Sequence, residues 1–184
     1  MKVGKILSLA ATLAFKDELS KDFSKGEIDY EDEDVKKLFL AYNLVIGELT
    51  EEIQPLYDVV ELTQPSKKFY YSAFPKKVKQ IVKASAKGKE IPFKQRLTYV
   101  ETGEATTEFL YDYAPRSASR AEDDCCYDER VFSERVLAKG VASEYLITIG
   151  MFEEAVVTRK AFEEAITKFV LKKKREKLKK RTWF

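Results

Sequence analysis

The sequence contains no histidine among its 184 residues, and this absence limits the chemistry available to the protein. Histidine is the usual general base near neutral pH and the commonest nitrogen ligand of a metal ion. Hydrolases with a histidine base and histidine-ligated metalloenzymes are therefore excluded. A histidine-free hydrolase that uses two placed carboxylates stays open as an alternative, because 31 Asp and Glu residues offer many candidates.

Cysteine is almost as scarce, since only Cys125 and Cys126 are present and they are adjacent. Zinc knuckles and disulfide frameworks need cysteines that are spaced along the chain. We therefore expect two free thiols in a reducing compartment, and we predict neither a metal site nor a cofactor.

Phosphate-binding motifs and long apolar runs are missing as well. The sequence has no G-x-x-x-x-G-K-[ST], no G-x-G-x-x-G and no G-x-S-x-G motif. No stretch reaches the roughly 18 apolar residues of a membrane-spanning helix. Residues 1–15 carry lysines before an apolar run, but its apolar residues share one helical face, which favours an amphipathic helix over a signal peptide. We expect a soluble intracellular protein that is not an enzyme and has no catalytic residues.

Positive charge is concentrated at the C-terminus. The net charge of the chain is only +2, yet residues 172–184 hold eight Lys or Arg and one Glu, a local balance of +7. The preceding 171 residues therefore carry 25 basic and 30 acidic groups, a balance of −5. The sequence thus predicts a mildly acidic body and an extended basic tail at 172–184.

Apolar spacing predicts helices at both ends of the chain. Pro55 ends the second of these helices, and Gly150 separates the last two. Small residues around Gly140 favour the close approach of a neighbouring helix. Residues 17–29 are polar and are predicted to form a connector. The predicted helices span residues 3–15, 35–53, 131–149 and 152–170.

The middle of the chain changes to the two-residue period of β-strands. The alternation is clearest where Phe109 and Tyr111 alternate with Glu108 and Leu110. We predict one small antiparallel sheet joined by hairpins, followed by a long acidic loop at 114–128. The strand-like segments are residues 57–63, 68–74, 78–85, 91–96, 97–101 and 106–113.

These patterns together predict an α+β protein. Its helices form a bundle, and the small antiparallel sheet is inserted between the second and third helices. We describe the chain as a single domain, 1–184, with a β insertion at 56–114 and the basic tail at 172–184.

Two acidic runs invite a metal-site interpretation, and neither fits one. The run from Glu27 to Asp34 lacks the glycine at position six and the glutamate at position twelve of a calcium loop that starts at Asp29. We interpret it as the acidic start of a helix. The run beside the cysteines, residues 122–124, has no spaced nitrogen or sulfur ligands and is interpreted as part of a loop.

A basic and aromatic cluster lies at residues 67–79. Its aromatic rings among lysines are typical of a surface that stacks single-stranded nucleic acid. The same rings would equally form the packed face of a sheet, so both interpretations stay open. The cluster comprises Phe69, Tyr70, Tyr71 and Phe74 with Lys67, Lys68, Lys76, Lys77 and Lys79.

The end of the tail places two large apolar rings among cations. Such a segment has no core of its own, and its rings are suited to fill pockets on a partner while the cations pair with an acidic rim. We predict that these residues dock the protein on a partner: Lys179, Lys180, Arg181, Trp183 and Phe184.

Three segments carry a resemblance to a known family. They are S-E-R-V-L-A-K-G-V-A-S-E-Y-L at 133–146, G-M-F-E-E-A at 150–155 and R-T-W-F at 181–184. With the order of helices, β insertion and long loop, they resemble the small neck proteins of tailed bacteriophages, the head-to-tail adaptors.

The resemblance implies a structural role in the virion, which is assembled in the host cytoplasm. It implies a ring of subunits, commonly dodecameric, between the portal and the next neck or tail ring, with no membrane involved. Packaged DNA would pass through the centre without specific binding, and an acidic body suits such a channel because it does not grip phosphates. The alternative from the residues alone is a nucleic-acid-binding module that uses the cluster at 67–79 and the tail.

Overall fold

The computed structural model describes residues 1–178. The predicted class is confirmed, since this part of the chain is mixed α+β with helices and small antiparallel sheets. The helices are α1 (Val3–Leu13), α2 (Asp17–Lys25), α3 (Glu33–Glu48), α4 (Glu134–Thr148) and α5 (Phe152–Leu178). The strands are β1 (Tyr57–Thr63), β2 (Lys68–Tyr70), β3 (Val78–Ala86), β4 (Lys89–Glu90), β5 (Phe93–Gln95), β6 (Tyr99–Thr102) and β7 (Thr106–Tyr113).

The chain divides into two compact units. The helical unit contains residues 1–46 and the chain from Ser117 onward, and the β unit contains Gly47–Arg116. A π-helical turn, Leu49–Ile53, follows α3 and ends just before Pro55. The description as a single domain with an insertion at 56–114 stays a prediction.

Helix α4 buries about half of its residues. Its start is capped by Ser133, whose side chain accepts a hydrogen bond from the backbone N–H of Val136. The Arg159 guanidinium of α5 is 3.1 Å from the Glu144 carboxylate of α4. Most of the apolar side chains of α4 are buried: Leu137, Ala138, Val141, Ala142, Tyr145 and Leu146.

Gly140 explains how tightly α4 packs, as the small residues around it predicted. A Cβ atom at this position would lie 2.9 Å from the Val45 side chain of α3 and 3.0 Å from the Phe162 ring of α5. Two neighbouring helices therefore approach α4 more closely than any larger residue allows.

Replacing Gly140 with alanine should destabilise the helical unit by up to about 2 kcal/mol, because overpacking costs about 1–3 kcal/mol and the gain in helix propensity offsets about 1. The matched control is Gly47→Ala in α3, where an added Cβ meets nothing within 4 Å. That change should raise the free energy of unfolding by about 0.5–1 kcal/mol. Denaturant unfolding measures the free energy of unfolding of both variants. Equal changes in the two would contradict the close packing of α4 at Gly140.

The predicted connector at 17–29 is wrong, because Asp17–Lys25 forms helix α2. Only Phe23 of this helix is buried, so apolar spacing did not reveal it. Hydrogen bonds hold it to α1 instead, with Ser8 Oγ 3.1 Å from Ser20 Oγ and 2.9 Å from Ser24 Oγ. The strands consequently follow the third helix and precede the fourth, and do not lie between the second and third.

The β unit contains two antiparallel sheets where one was predicted. The larger has the strand order β1-β7-β3-β4 and the smaller has the order β2-β6-β5. Buried side chains from both sheets share one core, in which the Phe69 ring of β2 lies 4.9 Å from the Phe109 ring of β7. The two sheets therefore pack face to face.

Several predicted strand limits change. The segment 68–74 leaves the sheet after Tyr70 and makes a 3-10 turn, Tyr71–Ala73. The segment 91–96 is shortened to Phe93–Gln95, because Pro92 has no N–H to donate and separates it from β4. The next strand begins at Tyr99 instead of 97. Strands β1 and β7 have the limits that the alternation predicted.

Helix α5 continues through the first part of the predicted tail. It reaches Leu178, nine residues (170–178) beyond Phe169, whose ring lies 4.7 Å from that of Phe132. Residues 172–178 are therefore helical and not extended, as strong helix formers such as Lys, Arg, Glu and Leu favour. At about 1.5 Å per residue, the nine residues after Phe169 extend the helix by about 14 Å.

Candidate interaction surfaces

The acidic run at 27–34 builds the start of α3, as predicted. Asp29 Oδ1 accepts a hydrogen bond from the backbone N–H of Glu31, and Asp32 Oδ1 accepts from the N–H groups of Asp34 and Val35. The Lys16 ammonium is 2.9 Å from Asp34 Oδ2. Among residues 1–178, no three carboxylates or thiols converge into a set that would hold a metal ion.

The acidic loop that precedes α4 is fixed to the start of α1. The N–H of Val3 donates to the carbonyl of Asp123 at 3.0 Å, and the N–H of Gly4 donates to that of Ala121 at 2.9 Å. The Lys2 ammonium is 2.8 Å from the Asp124 carboxylate. Two backbone carbonyls and the Asp124 carboxylate of this loop thus anchor the start of α1.

Cys125 and Cys126 are free thiols within the same loop. The pKa of Cys125 is lowered, because Cys126 donates a hydrogen bond to its sulfur and Tyr42 and the backbone N–H of Tyr127 add further donors. The pKa of Cys126 is raised, since it is the donor of that bond and is partly buried. Only one of the two therefore ionises readily.

The cluster at 67–79 is divided between the core and the surface. Phe69 and Phe74 belong to the core of the β unit, whereas Tyr70 is half exposed. The Tyr70 ring lies 5.7 Å from that of Tyr99, with the Lys68 ammonium 5.4 Å above the Tyr99 ring. Two of the four aromatic rings are thus buried and cannot stack on a nucleic-acid base.

The exposed large apolar side chains of the helical unit include two groups, on α5 and on α3, besides single residues such as Phe15. On α5 these are Phe152, Val156 and Val157, which are 64%, 68% and 71% exposed. On α3 they are Leu40 and Leu44, one turn apart, which are 53% and 52% exposed. Phe152 and Val156 are apolar residues of the predicted helix 152–170, but within residues 152–173 the buried residues of α5 are Ala155, Phe162 and Ile166.

The exposed pair on α3 was missed because apolar residues occur on both sides of that helix. Leu40 and Leu44 stand one helical turn apart, outside the set that includes Leu38, Tyr42 and Val45. A second apolar stripe on an already amphipathic helix is the signal that would have identified them.

The predicted docking residues Lys179, Lys180, Arg181, Trp183 and Phe184 lie outside the described residues. Lys172 and Lys173, which precede them on α5, are exposed. Within residues 1–178, no helix combines the length and apolar character that a membrane crossing requires.

No model of a protein family matches this sequence, and no curated protein matches it either.

Proposed function

We propose that this chain is a structural subunit of the neck of a tailed bacteriophage. In this proposal, copies of the chain form a head-to-tail adaptor ring, commonly dodecameric in such necks, between the portal protein and the next neck or tail ring. The helices form the bundle of the subunit, and the β unit is its insertion. Packaged DNA passes through the ring without specific binding, and the subunit performs no catalysis.

Exposed apolar side chains on two separate helices are the observation that carries this proposal. A ring subunit joins its neighbours through two different surfaces, because a contact that repeats head to tail closes by rotation. The α5 surface at Phe152, Val156 and Val157 and the α3 surface at Leu40 and Leu44 supply two such surfaces for neighbouring copies. Large exposed apolar groups on well-packed helices are typical of protein interfaces.

Helix α5 also supports the assignment of docking to the tail. It continues to Leu178 and leads directly into the predicted docking residues. The residues of the tail combine aromatic anchors with cations, which suits an acidic rim on the portal.

The alternative of a nucleic-acid-binding module has less support. Phe69 and Phe74 are core residues, and Lys76 pairs with the Asp58 carboxylate at 3.0 Å. Tyr70, Tyr99 and Lys68 are the remaining elements of a stacking surface. A single such pair of rings would bind only a few nucleotides.

The mass of the purified protein, alone and mixed with portal protein, tests the proposed function. We expect the measured mass to correspond to several copies of the 21.2 kDa chain, at least in the mixture with portal protein. A monomer under both conditions would contradict it.

A further inference from the structure

Leu97 is the most exposed large apolar side chain in the β unit. It is 97% exposed and lies in the short connection between β5 and β6. A single exposed apolar side chain is ordinary on a protein surface, so its role depends on the structure that presents it. Its position at the tip of a hairpin makes it suited to insert into another surface.

The hairpin that carries Leu97 is held in place by hydrogen bonds. The N–H of Arg96 donates to the carbonyl of Tyr99 at 2.9 Å, which closes the turn. The N–H of Tyr71 donates to the carbonyl of Thr98 at 3.1 Å, and the Tyr71 hydroxyl donates to that of Arg96 at 3.1 Å. The tip is therefore preorganised, and docking it requires little ordering.

A matching apolar surface lies on the outer side of the larger sheet. Val59 of β1 stands directly opposite Leu110 of β7, and Val82 occupies the bulge of β3 beside them. Val59 is 56% exposed and Val82 is 46% exposed. With Tyr57, which is 54% exposed, these residues form what we call the outer-sheet patch.

The outer-sheet patch is bordered by two glutamates that face each other. Glu61 of β1 pairs directly with Glu108 of β7 in the register, and both are exposed. Like charges at directly opposed positions destabilise a sheet unless a cation reduces their repulsion. Glu108 accepts a hydrogen bond from Ser85 at 2.9 Å, and within residues 1–178 neither carboxylate forms an ion pair.

The charge of the hairpin is opposite to that of this border. Lys94 and Arg96 flank the approach to Leu97, and residues 93–99 contain no acidic group. Both cations are exposed, and neither forms an ion pair within the described part of the chain. Opposite charges around an apolar contact fix its register and exclude wrong partners.

We propose that the hairpin tip of one copy docks on the outer-sheet patch of the next copy. Leu97 packs on Val59 and Leu110, and Arg96 approaches Glu61 and Glu108. This inference rests on the proposed function, because it names one of the contacts that join neighbouring subunits in the ring.

The two surfaces must belong to different copies, and in a ring this contact repeats head to tail. The hairpin belongs to the smaller sheet, which packs against the inner face of the larger sheet through the shared core. The outer-sheet patch faces away from that core, so a copy cannot place its own hairpin on its own patch. A contact between two different surfaces repeats from copy to copy and closes into a ring when the rotation permits.

Charge exchange on the full chain tests the contact. Arg96→Glu and Glu61→Arg should each raise at least tenfold the subunit concentration at which half of the protein is associated, because each places like charges across the contact. The double variant R96E/E61R restores opposite charges and should return that concentration to within about threefold of the original. Sedimentation velocity across a dilution series, alone and with portal protein, measures it.

Two further variants complete the experiment. Leu97→Ser should weaken association at least tenfold without changing the melting temperature, because the side chain contacts little of its own chain. Lys77→Glu, an exposed cation outside the hairpin, is the matched control and should have no effect.

The possible outcomes distinguish a failure of the proposed contact from a failure of the proposed function. The contact would be overturned if substitution of Arg96, Glu61 and Leu97 left association unchanged. It would also be overturned if the double variant did not restore the association that the single variants lose. Neither result would contradict the ring itself. Original protein that never associates, alone or with portal protein, would overturn the proposed function itself.

Discussion

Removal of residues 179–184 should abolish attachment of the protein to the portal ring. These six residues contain Trp183, Phe184 and three of the eight cations of the basic tail. Buried aromatic anchors usually dominate the free energy of an interface, and truncating one costs at least about 2 kcal/mol, or roughly thirtyfold in affinity. Loss of both rings therefore lowers binding below detection in a co-sedimentation experiment with portal protein.

The same truncation should leave the melting temperature nearly unchanged, because the apolar pattern of the last helix ends near Leu171. A variant with Lys172 and Lys173 replaced by glutamine is the matched control, since it removes two cations and keeps both rings. It should retain most of the binding, and its affinity should fall less steeply as salt increases, because fewer cations contribute to the contact. Full attachment of the truncated chain, or its outright unfolding, would show that the tail is not the docking element.

Replacement of Phe109 by alanine should cost the β unit about 3–5 kcal/mol of stability, as removal of a fully buried phenylalanine usually does. Phe109 is completely buried, and its ring lies 4.9 Å from that of Phe69 and 5.4 Å from that of Phe74. A loss of this size is a large fraction of the stability of a small unit. Chemical denaturation followed by near-ultraviolet circular dichroism measures the loss.

Tyr70→Ala is the matched control for this substitution. It removes an aromatic ring from β2 of the smaller sheet, but that ring is half exposed. We expect a loss of no more than about 1 kcal/mol, because a half-buried side chain leaves little cavity. Similar losses for the two variants would mean that Phe109 does not occupy the centre of the core.

The spacing of apolar residues was enough to predict the helices and strands that bury one face and expose the other. Strand β7 alternates Phe109 and Tyr111 with Glu108 and Leu110, and the first pair is buried in the structure. Helices α1 and α4 likewise follow their apolar spacing. These elements could be predicted because a single buried face leaves a regular signal in the sequence.

Elements that are held by polar contacts were missed. Helix α2 packs on α1 through the hydroxyl groups of Ser8, Ser20 and Ser24, so its sequence reads as a polar connector. Gly26, which ends it with a positive φ of 78°, was the local signal that a helix precedes it. Division of the strands between two sheets was also hidden, because pairing partners far apart in sequence leave no periodic signature.

The candidate surfaces could be predicted only in part. Sequence identifies the aromatic and basic character of residues 67–79, but not that Phe69 and Phe74 turn inward while Tyr70 turns outward. The exposure of Leu97 depends on the hairpin turn that carries it. The opposition of Glu61 and Glu108 depends on the register of β1 with β7, which joins residues 47 positions apart.

The most direct test of the central claim is the native mass of the full-length protein mixed with portal protein. A ring subunit predicts one complex that contains many copies of the 21.2 kDa chain on each portal ring, in a number fixed by the symmetry of the ring. The same measurement on the chain that lacks residues 179–184 should show free portal rings. A full-length chain that stays at 21.2 kDa beside unmodified portal rings would contradict the account.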